Sequence, residues 1–324
     1  MTALLWPAVA VAVGLGLLIW GADRFIHGAA ATARNLGVRP MIIGLTVVGF
    51  GTSAPEILVS LIAAWQGNPG VAVGNALGSN IANIGLVMGG TALVVPLAVN
   101  SDTLRREYPL MFVVMLLALV LIMDGHLGRL DGAILLGALV FIGWRVVRLG
   151  LRREPDPLEA EFEHEIPTLG TTAAAAWTVA GLVVMVLGSR GLVWGAVEIA
   201  RAMGISDLVI GLTIVAIGTS LPELAASIMS ALKKEPDLAL GNIIGSNIFN
   251  LLAVLGIPGL MAPAVLDPDA LWRDYPVMLG LGVTLYAMAY GFRRPPRLER
   301  WHGAVLLAAF CGYLLALYLT AAPG

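Results

Sequence analysis

Two glutamates stand alone in long apolar stretches of this sequence. Glu56 is the only charged residue between positions 40 and 101, and Glu223 is the only one between positions 208 and 232. A carboxylate at the centre of a membrane-spanning helix costs about 2.5–3.5 kcal/mol, so it persists where it meets a cavity, a partner or an ion. A protonated glutamate that donates a buried hydrogen bond is the structural alternative. Because two such residues occur in matching surroundings, the pattern favours a cation site.

Each glutamate ends a short motif that should break its helix. The motifs are GTSAPE at positions 51–56 and GTSLPE at positions 218–223. Proline has no backbone N–H and clashes with the carbonyl four residues earlier, so Pro55 and Pro222 predict a break beside each carboxylate. Carbonyl groups freed inside a membrane need a partner, for which a cation or water is typical. The neighbouring hydroxyl groups, which could instead bond to their own helix, belong to Thr52, Ser53, Thr219 and Ser220.

A second duplicated motif supplies further oxygen ligands. It reads GNALGSNIAN at positions 74–83 and GNIIGSNIFN at positions 241–250. Residues four apart share one helix face, and the pairs with this spacing are Ser79 with Asn83 and Ser246 with Asn250. The other polar candidates are Asn75, Asn80, Asn242 and Asn247. For Asn75 and Asn242, hydrogen bonding between helices is the favoured role. Carboxylate, hydroxyl, amide and carbonyl oxygens suit Na⁺ and Ca²⁺, whereas Zn²⁺ and Cu⁺ prefer Cys or His.

The motifs belong to one long internal repeat. From Gly21 and Gly188 onward, the two halves align without a gap at a constant offset of 167 residues. Ten of the seventeen residues at 40–56 are identical to their partners, and so are seven of the ten in the second motif. A duplication kept only for packing would match apolar residues. Because many matched residues are polar, the repeat favours a site formed where the two copies meet.

The composition predicts a membrane protein. Hydrophobic residues make up 58% of the sequence and charged residues 12%, with a mean hydropathy of +0.88, whereas a soluble domain carries roughly 25% charged residues. Runs of about 20 apolar residues are long enough to span a bilayer. The predicted spans are 3–33, 39–65, 70–97, 107–124 and 128–149, then 170–201, 207–232, 237–263, 275–291 and 301–321. Because five spans per copy is an odd number, the second copy must enter the membrane from the opposite side.

The distribution of Lys and Arg predicts the orientation. Fifteen of the 19 basic residues lie at or near connections that follow odd-numbered spans, and four lie on the other side. Both termini are therefore predicted to lie outside the cytoplasm. The predicted organisation is a first five-helix repeat at 1–150, a cytoplasmic linker at 151–167 and a second, inverted repeat at 168–324. The acidic run at 159–165 is interpreted as solvated linker, with sensing of divalent ions as the alternative.

These duplicated motifs resemble the alpha repeats of the calcium/cation antiporter superfamily, and most closely those of its short bacterial sodium/calcium exchangers. The resemblance covers nearly the whole chain. It implies an all-α membrane protein of ten transmembrane helices, arranged as two inverted five-helix repeats with helices 2 and 7 broken. In that fold, helices 2, 3, 7 and 8 surround four clustered ion sites, and helices 1 and 6 slide as a gate.

The resemblance also implies a set of ion ligands, carried over by motif position. The side-chain ligands are Thr52, Ser53, Glu56, Ser79, Asn83, Thr219, Ser220, Glu223, Ser246 and Asn250, and the backbone ligands are the carbonyls of Gly49 and Ala216. Sodium/calcium exchangers of the family often carry Asp where this chain has Asn250. The cavity would then hold two carboxylates, whose charge of −2 balances one Ca²⁺ or two Na⁺.

The sequence therefore predicts a secondary active antiporter of the cell membrane that exchanges Ca²⁺ for Na⁺, without a cofactor and without enzymatic activity. Exchange of Ca²⁺ for H⁺, or exchange of another divalent cation, is the open alternative. A channel would use the same ligands, but inverted repeats with broken helices favour alternating access. An intramembrane hydrolase would need a base, and the matched motifs contain no His. The chain has no GxxxxGK[ST] motif for ATP, and its net charge of −2 offers nucleic acid no basic surface.

Overall fold

The computed structural model shows an almost entirely helical chain. It describes residues 4–37, 42, 44–65, 67, 69–99, 107–150, 169–203, 216–290 and 297–321. Within these ranges the chain forms fourteen α-helices, four π-helical segments and four strands of two residues each. The predicted linker at 151–167 lies outside the described residues.

The elements are numbered here in chain order. The first half contains α1 (Leu5–Leu36), π1 (Gly44–Val48), α2 (Gly49–Thr52), α3 (Ala54–Trp65), α4 (Pro69–Ala82), π2 (Asn83–Met88), α5 (Gly89–Val94), β1 (Leu97–Ala98), α6 (Tyr108–Ile122), β2 (His126–Leu127) and α7 (Arg129–Gly150). The second half contains α8 (Thr171–Ala202), α9 (Ala216–Thr219), α10 (Leu221–Leu232), α11 (Pro236–Phe249), π3 (Asn250–Val254), α12 (Gly256–Met261), β3 (Ala264–Val265), π4 (Ala270–Asp274), α13 (Tyr275–Tyr290), β4 (Arg297–Leu298) and α14 (Arg300–Ala321).

Each predicted span coincides with one helix or with a short series of helical segments. Five helices are long and apolar enough to cross a membrane, and a sixth span results if the bent pair Leu45–Thr52 and Ala54–Trp65 is counted as one. These counts cover the described residues and rest on length and composition. Parts of four predicted spans, at 3, at 39–41 and 43, at 207–215 and at 291, lie outside the described ranges.

Both predicted helix breaks are present. Ser53 separates α2 from α3, and the axes of the two segments differ by 53°. Ser220 separates α9 from α10 in the same way along the chain. Pro55 and Pro222 each occupy the second position of the new helix, where a backbone N–H has no partner within the helix. The proline therefore starts a helix at each break and does not disrupt one.

The repeat seen in the sequence recurs in the element bounds. Helices α3, α4 and α5 reappear as α10, α11 and α12 with every bound shifted by 167 residues. The equivalent helices α1 and α8 pack against each other along their length. Gly14 lies beside Leu192 and Gly28 beside Thr178, so the partner number falls as the number along α1 rises. Two helices in equivalent places of the repeat therefore run antiparallel.

Glycine at every seventh residue allows α1 and α8 to approach closely. A side chain at any of these positions would collide with the partner's backbone, and the positions are Gly14, Gly21, Gly28, Gly181, Gly188 and Gly195. Small residues at such a contact are typical of helix pairs in membranes, where van der Waals packing drives association. The short strands also join the halves, because β1 pairs with β4 and β2 pairs with β3.

Burial separates central helices from peripheral ones. The most apolar windows of Pro69–Val94 and Pro236–Met261 have 72% and 83% of their residues buried, against 28% for α1, 28% for α8 and 22% for α14. The peripheral helices expose large apolar side chains, among them Val13, Val179 and Leu319. Exposed apolar surface of this kind is typical of helices that meet lipid or a partner. The central pair α4 and α11 carries the asparagine-rich motifs.

Replacing Gly188 by alanine is expected to destabilise the protein. The added Cβ would lie 2.6 Å from the backbone nitrogen of Leu18, so α1 and α8 must move apart at a cost of about 1–3 kcal/mol. Gly191→Ala on the same helix is the matched control, because nothing lies within 4 Å of its added Cβ. Thermal unfolding in detergent should show a lower Tm for Gly188→Ala alone. Equal Tm values for the two variants would contradict the close packing.

Candidate cation site

Both lone glutamates lie at the start of a new helix in the protein interior. Glu56 is in the first turn of α3 and Glu223 is in the first turn of α10, each directly after a break. Each residue is 1% exposed. The first turn of a helix presents unpaired N–H groups and the positive end of the helix dipole. The break therefore lowers the cost of burying each carboxylate.

Hydroxyl groups of the first motif reach into the second half of the chain. Ser53 Oγ donates a hydrogen bond to Glu223 Oε1 over 3.4 Å. Thr52 Oγ1 donates to Asn242 Oδ1 over 2.9 Å and lies 3.3 Å from Ser246 Oγ. All five residues are fully buried or nearly so. The two copies of the repeat therefore meet at the predicted ligands, as the polar matches in the sequence indicated.

The carbonyl oxygen of Gly49 lies among the same hydroxyl groups. Ser246 Oγ donates to it over 3.3 Å, and Thr52 Oγ1 is 3.4 Å away. Thr52 also donates to the carbonyl of Val48 over 3.0 Å, which is the bond to its own helix that the structural alternative predicted. The single hydroxyl proton of Thr52 therefore has acceptors in both halves of the chain. The hydrogen bond to its own helix competes with the hydrogen bond to the second half.

Two asparagines attach the broken helices to their neighbours. Asn75 Nδ2 donates to the carbonyl of Glu56 over 3.0 Å and to Ser60 Oγ over 3.1 Å. The matched bonds of the second half run from Asn242 Nδ2 to the carbonyl of Glu223 (3.2 Å) and to Ser227 Oγ (2.8 Å). The predicted role of these asparagines in hydrogen bonding between helices is confirmed.

The last asparagine of each second motif opens a π-helical segment. Asn83 is the first residue of π2, and Asn250 is the first residue of π3. Such segments occur frequently at functional sites. Asn83 Nδ2 lies 3.3 Å from Asn247 Oδ1, and Asn250 Nδ2 lies 3.5 Å from Asn80 Oδ1. Both bonds are long, and both cross from one half of the chain to the other.

Within the described ranges, five buried oxygen atoms of the predicted ligands have no hydrogen-bond partner. They are Glu56 Oε2, Glu223 Oε2, Asn83 Oδ1, Asn250 Oδ1 and Ser220 Oγ. An unsatisfied buried polar group costs about 1–3 kcal/mol, and native proteins keep few of them. All five atoms carry lone pairs, and two belong to carboxylates. A hard cation is a partner that several such oxygens can share.

The backbone carbonyl of Gly218, which Pro222 leaves without its helical hydrogen bond, has a partner within the protein. Pro222 cannot donate to the carbonyl of Gly218, and Ser189 Oγ on α8 donates to it instead, over 2.9 Å. The expectation that a cation or water would meet this carbonyl is therefore wrong for Gly218. The matched position on α1 carries Ala22, which has no hydroxyl. The two halves differ at this point although their motifs match.

The structure brings most of the predicted ligands into the buried interior. Those at most 5% exposed are Thr52, Ser53, Glu56, Ser79, Asn83, Ser220, Glu223, Ser246 and Asn250. Thr219 is partly buried, and Gly49 and Ala216 begin the short helices α2 and α9. Sequence reasoning missed three serines that join the broken helices to their neighbours. Ser60 and Ser227 lie on α3 and α10 and accept hydrogen bonds from Asn75 and Asn242, and Ser189 on α8 donates to Gly218. The exact recurrence of Ser60 at Ser227 was a usable signal, whereas Ser189 has no counterpart in the first half.

The fold and site define a polytopic membrane protein whose polar centre is built from the oxygen atoms of two repeats. The chain belongs to the sodium/calcium exchanger protein family, whose sequence profile matches residues 6–147 and 173–319. It is 52% identical to CaxA of Alkalimonas amylolytica, over 97% of this chain and 99% of that protein. It is 31% identical to the sodium/calcium exchanger MaX1 of Methanosarcina acetivorans, over 94% of this chain and 97% of that protein.

A solved structure supports the same assignment. The sodium-calcium exchanger NCX_Mj, soaked with 10 mM Na⁺ and no Ca²⁺, matches with a TM-score of 0.84 and 31% sequence identity. The match covers 97% of this chain and 99% of that one. The similarity therefore extends over both halves of the chain.

Replacing Ser189 by alanine is expected to destabilise the second half of the protein. The change leaves the Gly218 carbonyl without its 2.9 Å bond, at a cost of about 1–3 kcal/mol. Ser230→Ala is the matched control, because Ser230 Oγ donates only a bond to the carbonyl of Ala226 in its own helix. Thermal unfolding should show a larger drop in Tm for Ser189→Ala, and a drop no larger than that of the control would contradict the bond.

Proposed function

We propose that this chain is a secondary active antiporter that exchanges Ca²⁺ for Na⁺ at a site around Glu56 and Glu223. The observation that carries the proposal is the group of five buried oxygen atoms without partners, two of them on these carboxylates. Carboxylate, amide and hydroxyl oxygens are the ligands that hard cations prefer. The proposed ligands are the twelve predicted from the motifs: Gly49, Thr52, Ser53, Glu56, Ser79, Asn83, Ala216, Thr219, Ser220, Glu223, Ser246 and Asn250.

Charge balance supports exchange of one divalent for two monovalent cations. Two ionised carboxylates carry −2, which one Ca²⁺ or two Na⁺ neutralises. A third Na⁺ would add positive charge in a poorly screened cavity, and the cost of such charge rises as the local dielectric falls. Asn250 contributes an amide and no charge to this balance. Binding of one Ca²⁺ or of two Na⁺ therefore leaves the site neutral. Both ion-loaded forms of the protein are thus suited to carry their ions through the membrane.

Ten transmembrane helices in two inverted repeats would place this site at the centre of the membrane. The matched element bounds and the antiparallel packing of α1 against α8 support this arrangement. Transport sites of inverted-repeat proteins lie where broken helices of the two repeats meet. Helices α1 and α8 then form the peripheral unit that moves past the central helices. Alternating access of this kind, and not a continuous pore, accounts for the two broken helices.

We propose residues 1–150 and 168–324 as the two repeats, joined by a cytoplasmic linker at 151–167. The 15-to-4 distribution of basic residues between the two sides supports an orientation with both termini outside the cytoplasm. The protein would then reside in the cell membrane as a multi-pass protein. Its partners are inorganic cations and the lipid bilayer.

Replacing either glutamate by glutamine is expected to abolish exchange. Glutamine keeps the size of the side chain but leaves one negative charge for a divalent cation, so binding should weaken at least a hundredfold. Radiolabelled Ca²⁺ uptake into proteoliposomes, driven in turn by Na⁺ and by H⁺ gradients, measures the loss and identifies the counter-ion. Thr284→Gln is a control, because Thr284 is partly exposed on α13 and bonds to its own helix. Near-normal transport by Glu223→Gln would contradict the two-carboxylate site.

The proposed orientation predicts opposite locations for the C-terminus and the linker. A reporter that is active only in the cytoplasm should be inactive when fused after Gly324 and active when inserted after Glu159. The physical reason is the excess of Lys and Arg on the linker side of the membrane. The complementary reporter, active only outside the cytoplasm, should give the reverse pattern. Equal signals at the two positions would contradict an odd number of spans in each repeat.

A further inference from the structure

Four buried asparagines form two crossed pairs between the halves of the chain. Asn83 Nδ2 lies 3.3 Å from Asn247 Oδ1, and Asn250 Nδ2 lies 3.5 Å from Asn80 Oδ1. The offset of 167 residues converts the first pair into the second. Each of the four side chains is at most 1% exposed. The same contact is therefore made twice, with the roles of the two halves exchanged.

The chemistry of a primary amide determines which atom of each proposed ligand is left without a partner. An amide carries a donor group and an acceptor oxygen on opposite sides of one carbon. In both pairs the proposed ligand, Asn83 or Asn250, directs its NH₂ group to the neighbouring asparagine. Its own Oδ1 is left buried and without a hydrogen-bond partner. Rotation of that amide by 180° would put the NH₂ group in place of the oxygen, and an NH₂ group repels a cation.

We infer that Asn80 and Asn247 are positioning residues of the cation site: each accepts a hydrogen bond that keeps the amide oxygen of the opposite half free for a cation. The inference rests on the proposed function and adds two residues that act through the ligands. Asn247 is itself fixed, because its Nδ2 lies 3.7 Å from Met111 Sδ and its oxygen is left for Asn83.

The packing of the helices brings the segment that carries each amide against a carboxylate-bearing helix. Segment π2, which begins at Asn83, packs against α10, the helix of Glu223. Segment π3, which begins at Asn250, packs against α3, the helix of Glu56. Each positioned amide therefore belongs to a segment that packs against the carboxylate-bearing helix of the other half. A change in its rotation would alter the ligand set on which both halves depend.

The pairing also constrains what residue 250 can be. An aspartate there would have no NH₂ group, so its carboxylate would face Asn80 Oδ1 at about the 3.5 Å that now separates the two amides. Asn80 can adapt by turning its own amide, because its Nδ2 is buried without a partner. Asn80 is thus able to accept a hydrogen bond from an amide at position 250 or to donate one to a carboxylate there. An apolar residue at position 80 can do neither.

A double-mutant cycle separates positioning from simple packing. The variants are Asn80→Ala, Asn250→Ala and the double variant, assayed by Na⁺-driven uptake of radiolabelled Ca²⁺ into proteoliposomes. Asn80→Ala should raise the half-saturating Ca²⁺ concentration about fivefold to tenfold, with the maximal rate within about twofold of the unchanged protein. In the Asn250→Ala background the same change should have less than about a twofold effect, because the amide it positions is absent.

Two further sets of variants test the specificity of the pairing. The mirror cycle combines Asn247→Ala with Asn83→Ala and should show the same non-additivity. Because there are two cycles, one variant that fails to fold does not decide the result. The control cycle combines Asn75→Ala with Asn250→Ala. The amide of Asn75 bonds to Glu56 and Ser60, so its effect should be the same with and without Asn250. Equal effects of Asn80→Ala in both backgrounds would overturn the inference.

A binding measurement distinguishes failure of this inference from failure of the proposed function. The rise in Tm on adding Ca²⁺ in detergent requires binding but not exchange. If the unchanged protein gains stability from Ca²⁺ but does not transport it, exchange is refuted and the cycles are scored on the shift in Tm. If neither Ca²⁺ nor Na⁺ stabilises or crosses, both the inference and the proposed function are overturned.

Discussion

Two carboxylates buried in the interior of a membrane protein are the constraint on which the rest of this structure depends. Within the described part of the chain, neither Glu56 nor Glu223 forms an ion pair. Each is placed at the start of a helix, where the dipole and free N–H groups favour negative charge. The helix must therefore break at that point, and proline is the residue that allows a break to start a new helix. In the proposed site, a transported cation balances the charge that remains on the two carboxylates.

The two halves match in sequence but have unequal contacts. Ser53 donates to Glu223, whereas the matched Ser220 has a buried hydroxyl oxygen without a partner. Ser189 holds the carbonyl of Gly218, whereas Ala22 occupies the matched place on α1. Alternating access requires that two equivalent halves adopt different arrangements at the same time. The Ser189 contrast differs from the Ser53 contrast, because it is fixed by the sequence: Ala22 has no hydroxyl group with which to make the matched bond.

The sequence predicted the features that follow from local chemistry. The repeat, the lone glutamates and the breaks before Pro55 and Pro222 depend on residue type and spacing, and the structure contains all three. The π-helical turns at Asn83 and Asn250 left no pattern in the sequence, because the same residues would also fit a regular α-helix. The contacts that cross between the halves could not be predicted either. They depend on how two helices lie side by side, and spacing within one helix carries no such information.

Asn250 shows how one amide can meet two requirements at once. Its nitrogen lies 3.5 Å from Asn80 Oδ1 and its oxygen has no hydrogen-bond partner among the described residues, so in the proposed site the residue would contribute a ligand without adding charge. A carboxylate at this position would add a third negative charge to the proposed ligand set, and like charges in a weakly screened interior repel strongly. The proposed site would then need an additional positive charge to neutralise it. The choice between amide and carboxylate at position 250 thus sets how much positive charge balances the proposed ligands. The asparagine on the opposite half decides whether that position presents an oxygen at all.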